Sequence, residues 1–87
     1  MRDPFTYYYP KIDIHGETSM TCVAVINSFI NDNIKLKNEN VIIIHGKGTG
    51  TLKRATYDVL KLNKNVLNYH IDPLNEGQTI ITLNIKH

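Results

Sequence analysis

The spacing of apolar residues along the first part of the chain predicts a strand followed by a helix. Residues 11–15 alternate between polar and apolar, which is typical of a short strand whose isoleucines face a core. Gly16 ends this strand, and Thr18 or Ser19 is then the predicted N-cap of a helix. This helix is expected to end near residues 31–33, and its apolar stripe consists of Val23, Ile26, Phe29 and Ile30.

The remainder of the chain predicts a buried strand, a second helix and two further strands. Residues 41–44 are β-branched without polar alternation, which is typical of a central strand buried on both faces. Thr51 is the predicted N-cap of the second helix, and Asn63 ends it. The apolar positions of this helix are Leu52, Ala55, Val59, Leu60 and Leu62. Residues 66–71 predict a third strand, residues 73–77 a turn, and residues 78–85 an alternating fourth strand.

The resulting element order, βαβαββ, predicts an α/β (α+β) fold in two layers. Strand-helix-strand crossovers are right-handed, so the first three strands are expected to run parallel, with both helices on one face of the sheet. The closing hairpin is expected to add an antiparallel edge strand and so to complete a mixed four-stranded sheet. The helices would leave the other face uncovered, and Tyr69 or other polar strand residues are expected there. The pattern leaves the order of the strands open.

Length and composition fit one small domain. Eighty-seven residues suit a single core, and 41% hydrophobic with 21% charged residues is ordinary globular composition. The longest apolar runs are far shorter than the roughly 20 residues of a spanning helix, and the N-terminal residues contain no signal-peptide segment. We therefore expect a cytoplasmic protein with no membrane partner. Residues 1–10, which carry two prolines and the run Tyr7 to Tyr9, predict an extended lead-in to a domain over residues 11–87.

The net charge of +2 is small, but the positive side chains are concentrated in one part of the chain. Between residues 46 and 65, a single acidic residue, Asp58, stands against five basic ones: Lys47, Lys53, Arg54, Lys61 and Lys64. A basic cluster of this kind attracts phosphate, and a solvated helix face has the same composition. Charge alone therefore leaves a nucleic-acid partner open.

Two strands each run into a histidine followed by a glycine. Parallel strands share a carboxyl edge, so His15 and His45 are expected on the same side of the sheet. Both helices begin at this edge, where unpaired N–H groups and the helix dipole favour anions. Glycines in the second loop leave its backbone accessible to phosphate, and Lys47 adds a cation. The two loops are therefore predicted to form a single nucleic-acid site.

The segments IDIHG (residues 12–16) and IIIHGKGTGTLK (residues 42–53) resemble the two signature motifs of the small MutS-related (Smr) domain family. Members typically show a Leu-Asp-x-His-Gly-like segment followed by His-Gly-x-Gly, and the resemblance runs from about residue 11 to residue 83. It implies a βαβαββ domain similar to the C-terminal domain of bacterial translation initiation factor three. It also implies nucleic-acid binding and, as in several members, endonuclease activity on DNA or RNA. This chain departs from the pattern in having Ile for Leu in the first motif and only Gly77 before the last strand.

The resemblance aligns Asp13 and His15 with the first motif and residues 45–48 with the second. Phosphodiester cleavage requires proton transfer and positive charge near the transition state. We therefore predict that His15 acts as acid or base, with Asp13 as its orienter or as a metal ligand. His45 is predicted either to contact phosphate or to share the proton transfer. The predicted phosphate-binding residues are Gly46, Lys47, Gly48, Thr49, Gly50, Lys53 and Arg54.

Cofactors and the exact role stay open at this stage. A divalent metal such as Mg or Mn is one option, although one aspartate and two histidines, with Glu17 as an extra candidate, match no zinc signature. No nucleotide cofactor is expected, because no Lys-Thr or Lys-Ser pair follows the last glycine of the loop. The rival function is a binding module without catalysis, on structured RNA, branched DNA or the ribosome. Nothing in the sequence chooses DNA over RNA.

Overall fold

The computed structural model describes residues 8–85, and its elements follow the predicted order. The strands are β1 (Lys11–Asp13), β2 (Asn40–Ile44), β3 (Val66–Asp72) and β4 (Asn75–Leu83), and the helices are α1 (Thr21–Lys35) and α2 (Thr51–Leu62). The predicted mixed four-stranded sheet with two helices packed on one face is confirmed. Most of the predicted lead-in, residues 1–7, falls outside the described residues.

The four strands lie in the order β1-β2-β4-β3. β1 pairs in parallel with β2, and β4 is antiparallel to both of its neighbours, so the first three strands share one direction as predicted. The expectation that the last strand adds an edge is wrong, because β4 lies between β2 and β3. The burial of the two strands explains this order. β4 is buried along most of its length, whereas β3 exposes polar residues such as Asn68 and His70, which suit an edge strand.

The ends of α1 differ from the prediction because side chains satisfy the backbone there. The predicted N-cap, Thr18 or Ser19, is wrong, because the N-cap is Met20 and has no side-chain cap. Thr18 satisfies the backbone just before the helix instead: its Oγ1 accepts the N–H of Thr21 at 3.0 Å, and Thr21 Oγ1 accepts that of Thr18 at 2.9 Å. At the other end α1 continues past residues 31–33. Asn33 is buried, with its amide nitrogen 2.8 Å from the Phe29 carbonyl, and therefore does not stop the helix. The left-handed Lys37, at φ 61°, follows the true end.

The start of α2 and the start of β4 also differ from the prediction. Thr51 was predicted to cap α2 but is its first helical residue, and the cap is Gly50 at φ 83°. β4 begins at Asn75, three residues before the predicted start, because the residues assigned to a long turn pair with β3 instead. The hairpin is thereby shortened to a two-residue turn, Pro73 and Leu74.

The core lies between the sheet and the two helices. Its fully buried members include Ile14, Cys22, Ile26, Ile30, Val41, Ile43, Ile81 and Leu83. Tyr69 was predicted on the opposite face but lies on the helix side, with its ring centroid 5.2 Å from that of Tyr57. The opposite face is not bare at its centre either, because the cross-strand partners Ile42 and Ile80 are 0% and 8% exposed.

The apolar stripes of the two helices are narrower than predicted. Val23 and Leu62 are 43% and 88% exposed, although both were assigned to the core side. Residues one or two positions from a buried residue point to another side of a helix, and here Cys22 and Leu60 are the buried ones. Within residues 8–85, neither helix has the length and apolar content needed to cross a membrane.

Candidate functional site

The loops that follow β1 and β2 lie against each other at the carboxyl edge of the sheet. The N–H of Ile14 donates to the Ile44 carbonyl at 2.8 Å, which extends the pairing of the two strands as far as the loops. A Cβ placed on Gly46 would lie 3.8 Å from the Cβ of His15. His15 and His45 line one groove of about 370 Å³, together with Gly46 and residues 48–53. The two histidine loops therefore converge, as expected from the parallel strands.

Asp13 holds the ring of His15 in a fixed orientation. His15 Nδ1 lies 2.5 Å from Asp13 Oδ1, and the same oxygen accepts the backbone N–H of His15 at 3.0 Å. The backbone hydrogen bond, followed by the side-chain one, lowers the pKa of Asp13 below its usual 3.8. The side chains of His15 and Asp13 are 72% and 48% exposed. Because the carboxylate engages Nδ1, the ring presents Nε2 for proton transfer with a ligand.

His45 stands at the matching position of the second loop, but it is only 4% exposed. Its Nδ1 lies 3.0 Å from the Gly46 carbonyl, and its Nε2 lies 2.8 Å from Thr79 Oγ1 in β4. A carbonyl only accepts, so Nδ1 carries the proton and Nε2 accepts from the Thr79 hydroxyl. With both ring nitrogens engaged, the geometry favours a positioning role for His45 over the phosphate contact or proton transfer predicted from the sequence.

The environment of His45 also favours its neutral form. Burial lowers the pKa of His45 below 6.5, and the positive charge of Lys53 lowers it further. The hydrogen bond to the Gly46 carbonyl opposes this shift without cancelling it. A neutral ring is the form that keeps the hydrogen bond from Thr79, because only the neutral Nε2 has a lone pair.

β4 clamps the start of the glycine loop. The carbonyl of Gly77 accepts the N–H of His45 at 3.0 Å and the N–H of Gly46 at 2.9 Å. A Cβ on Gly77 would lie 3.2 Å from Asn75 Oδ1 and 3.6 Å from the Gly46 carbonyl carbon, so little space exists there for a side chain. Sequence reasoning assigned no site role to Gly77 or Thr79. Their spacing carries no local signal for such a role, because their partners lie more than thirty residues earlier.

The glycine loop runs directly into the N-terminus of α2. Gly46 and Gly50 have φ angles of 82° and 83°, which favour glycine. Because Gly50 is the cap residue, no side chain caps α2, and the first N–H groups of the helix open at the groove. The positive end of the helix dipole lies at the same place. Thr51 and Leu52, which the sequence analysis did not assign to the site, also line this groove.

The predicted cations are distributed unevenly around the loop. Lys53 lines the groove of the two histidines, and its Nζ lies 5.8 Å from the ring centroid of Tyr57. Lys47 lines a neighbouring groove on the other side of the loop. Arg54 is exposed and lines neither of these two grooves, so the structure does not bring it together with the other predicted phosphate-binding residues.

The candidate metal ligands do not assemble into a metal site. Within residues 8–85, no group of three or more His, Cys, Asp or Glu side chains is arranged to hold a metal ion. The Asp13–His15 pair offers two ligands, and Glu17 does not complete the set. These side chains therefore do not by themselves form a complete set of ligands for a resident metal.

Comparison with known proteins agrees with this arrangement. Residues 12–83 match the sequence model of the Smr domain. The chain is 34% identical over 73 residues to endonuclease MutS2 of Geobacillus sp. strain WCH70, and to the same degree over the same length to that of Clostridium tetani. Each alignment covers 84% of this chain and 9% of the relative, so the chain spans a small part of the length of these proteins.

Two solved structures have the same fold. The Smr domain of Thermus thermophilus MutS2 superposes with a TM-score of 0.82 at 25% identity, covering 85% of this chain and 96% of that one. YdaL, a stand-alone small MutS-related protein from Escherichia coli, gives a TM-score of 0.75 at 24% identity, covering 86% and 66%. The family match and the shared architecture lead to one conclusion: the chain belongs to the Smr domain family.

Proposed function

We propose that this chain is a nucleic-acid-binding Smr domain with endonuclease activity, which hydrolyses phosphodiester bonds of DNA or RNA. The Asp13–His15 pair carries the proposal, because it stands exposed beside a groove built from glycine backbone, a helix N-terminus and Lys53. Proton transfer and anion stabilisation are the two requirements of phosphodiester cleavage. The similarity to proteins named endonuclease MutS2 supports the same reaction.

The groove supplies the anion site. The uncapped N–H groups at the start of α2 and the dipole of this helix favour a phosphate group. Lys53 adds a full positive charge on the same lining, close enough to His45 to affect its pKa. A phosphate bound here lies beside His15, since both line the same groove.

His15 then acts as the base of the reaction. Its Nδ1 proton is held by Asp13, so Nε2 of the neutral ring takes a proton from an attacking water as the water oxygen bonds to phosphorus. The leaving oxygen lies on the opposite side of phosphorus, so it takes a proton from solvent as the P–O bond breaks, and His15 afterwards releases its proton to water. The products are a phosphomonoester and a free hydroxyl. Asp13 orients the ring and stabilises its positive charge while the proton is held. His45 keeps the loop in place and does not exchange protons.

A cleavage assay tests this function. Purified protein is incubated with supercoiled DNA and with structured RNA, with EDTA and with added Mg²⁺ or Mn²⁺. Wild type is expected to cut, and His15→Ala and Asp13→Asn are expected to lose most of the activity. His70→Ala is the matched control, because His70 is an exposed histidine of the edge strand β3.

Two outcomes contradict the proposal in different ways. Equal cleavage by wild type and His15→Ala would remove this histidine from the mechanism. Salt-sensitive binding with no strand breaks under any condition would leave a nucleic-acid or ribosome binding module in place of an enzyme.

A further inference from the structure

The glycine loop forms a ridge between two grooves. The first groove contains His15 and His45, and the second contains Lys47, Ile71 and Glu76. Both are lined by the same ridge residues, namely Gly46, Gly48, Thr49, Gly50 and Lys53. The strand order produces this arrangement, because β1 lies on one side of β2 and the β3–β4 hairpin lies on the other. The loop after β2 therefore has a groove on each flank.

The second groove carries a net positive charge. Lys47 and Lys53 line it against a single carboxylate, that of Glu76. Lys47 lies on the β4 side of the ridge, since a Cβ on Gly77 would lie 3.5 Å from its Cγ. Lys53 lines both grooves, so an anion in the first groove and an anion in the second would share one cation. Two adjacent phosphates of one nucleic-acid strand, one in each groove, would match this distribution of positive charge.

Gly48 marks the place where a strand would cross the ridge. Its φ is outside the left-handed region, and a Cβ there would meet nothing within 4 Å. The fold itself therefore does not require glycine at this position, in contrast to Gly46 and Gly50. Open space above a backbone that lines both grooves is what a crossing chain needs.

We propose that the second groove binds the phosphate next to the scissile one, so that the strand to be cut crosses the ridge at Gly48. This inference rests on the proposed function. A single strand is flexible enough to follow a positively charged groove, so it is expected to fit the two grooves more readily than a strand held in a duplex.

Fluorescence anisotropy with a labelled single-stranded oligonucleotide and its matched duplex tests the charge of the second groove. The single strand is expected to bind more tightly than the duplex. Lys47→Ala should reduce the slope of log affinity against log salt by about 0.7, which corresponds to one phosphate contact. Glu76→Gln should strengthen binding. Lys35→Ala, at the last residue of α1, and Glu39→Gln, just before β2, are controls at exposed positions that line neither groove, and both should bind like wild type.

Gly48→Leu tests the crossing point. The added side chain should weaken binding of the single-stranded oligonucleotide by about tenfold. Its urea midpoint should be no lower than that of wild type, because a Cβ at this position meets nothing within 4 Å. Gly48→Ala should show a smaller loss.

The outcomes separate this inference from the proposed function. If Lys47→Ala, Glu76→Gln and Gly48→Leu all bind like wild type, the second groove is not a phosphate site. If the duplex binds as tightly as the single strand, the preference for a single strand is overturned. Cleavage that depends on Asp13 and His15 would still stand in that case. If neither oligonucleotide binds wild type, the proposed function fails, and the second groove fails with it.

Discussion

His45 and Thr79 are joined by a buried hydrogen bond, with 2.8 Å between the ring Nε2 and the hydroxyl oxygen. This contact joins the glycine loop to the central strand β4. The hydroxyl of Tyr57 in α2 lies 3.5 Å from the same Thr79 oxygen. The glycine loop therefore depends for its position on a strand and a helix that both follow it in the chain.

Thr79→Val is expected to destabilise the protein, because it leaves the Nε2 of a buried histidine without its donor. The expected loss in the free energy of unfolding is about 1–3 kcal/mol, measured by urea denaturation. Thr79→Ser keeps the hydroxyl and should recover most of the hydrogen bond. Thr82→Val is the control, because the Thr82 hydroxyl donates to Asn40 Oδ1 at 3.2 Å at a half-buried site. Equal losses for the two valine variants would argue against a special role for Thr79.

The titration of His45 should make stability depend on pH. Its pKa in the folded state is lowered by burial, so the unfolded state binds more protons between that value and 6.5. The stabilisation is therefore complete above 6.5 and is lost as the pH falls through the folded-state pKa. The contribution of Asp13, whose pKa is lowered below 3.8, is complete above 3.8 and is lost only at more acidic pH.

NMR of the imidazole nitrogens measures this directly. The His45 ring should show the Nδ1-protonated neutral tautomer at about pH 7, and its midpoint should lie below 6.5. His45→Gln should flatten the change in urea midpoint over this range. A His45 ring that is positively charged at neutral pH would contradict the assigned hydrogen bonds.

Two glycines of the loop, Gly48 and Gly50, should differ in their tolerance of a side chain. Gly50→Ala places an L side chain at φ 83° and is expected to cost about 1–2 kcal/mol of stability. Gly48→Ala has no such strain and should be neutral, or stabilising by up to about 1 kcal/mol through the unfolded state. Thermal or urea unfolding of the two variants decides the matter, and a greater loss for Gly48→Ala would overturn the distinction.

On the proposed function, His15 and Lys53 should affect different kinetic constants. His15→Ala removes the proton-transfer group and should lower kcat by about 10²–10⁴-fold with little change in KM. Lys53→Ala removes a positive charge that binds the substrate equally in the ground state and in the transition state, so it should mainly raise KM. Lys61→Ala, at the exposed far end of α2, is the control. Steady-state cleavage of a short labelled oligonucleotide separates the two effects.

Sequence reasoning was sufficient for the convergence of the two loops, because parallel strands must end at one edge. It did not predict that His45 is buried while His15 is exposed, because the two histidines have the same local context. The difference arises from strand position. β1 is an edge strand that ends at Asp13 and leaves His15 exposed. β2 is a central strand, and His45, which follows it, is buried. Position within a sheet is a long-range property that local periodicity does not encode.

Local sequence patterns did not predict the strand order either. The alternation along residues 78–85 predicted a strand with one solvent-exposed face, but both faces of most of β4 are buried in the structure. Thr79 and Gln78 read as polar positions, yet Thr79 is 0% exposed and hydrogen-bonded to His45, and the Gln78 amide donates to the buried Asp72 at 2.8 Å. Buried polar residues with partners look like surface residues when only the sequence is seen.

The central position of β4 also has a consequence for how the domain folds during synthesis. Within residues 8–85, the other five elements are translated before β4. Until β4 inserts, β2 has an unpaired side, and His45 has neither Gly77 nor Thr79 to hold it. Pairing between such distant segments is slow to form. On the proposed function, no cleavage is expected until β4 has been translated and has docked between β2 and β3.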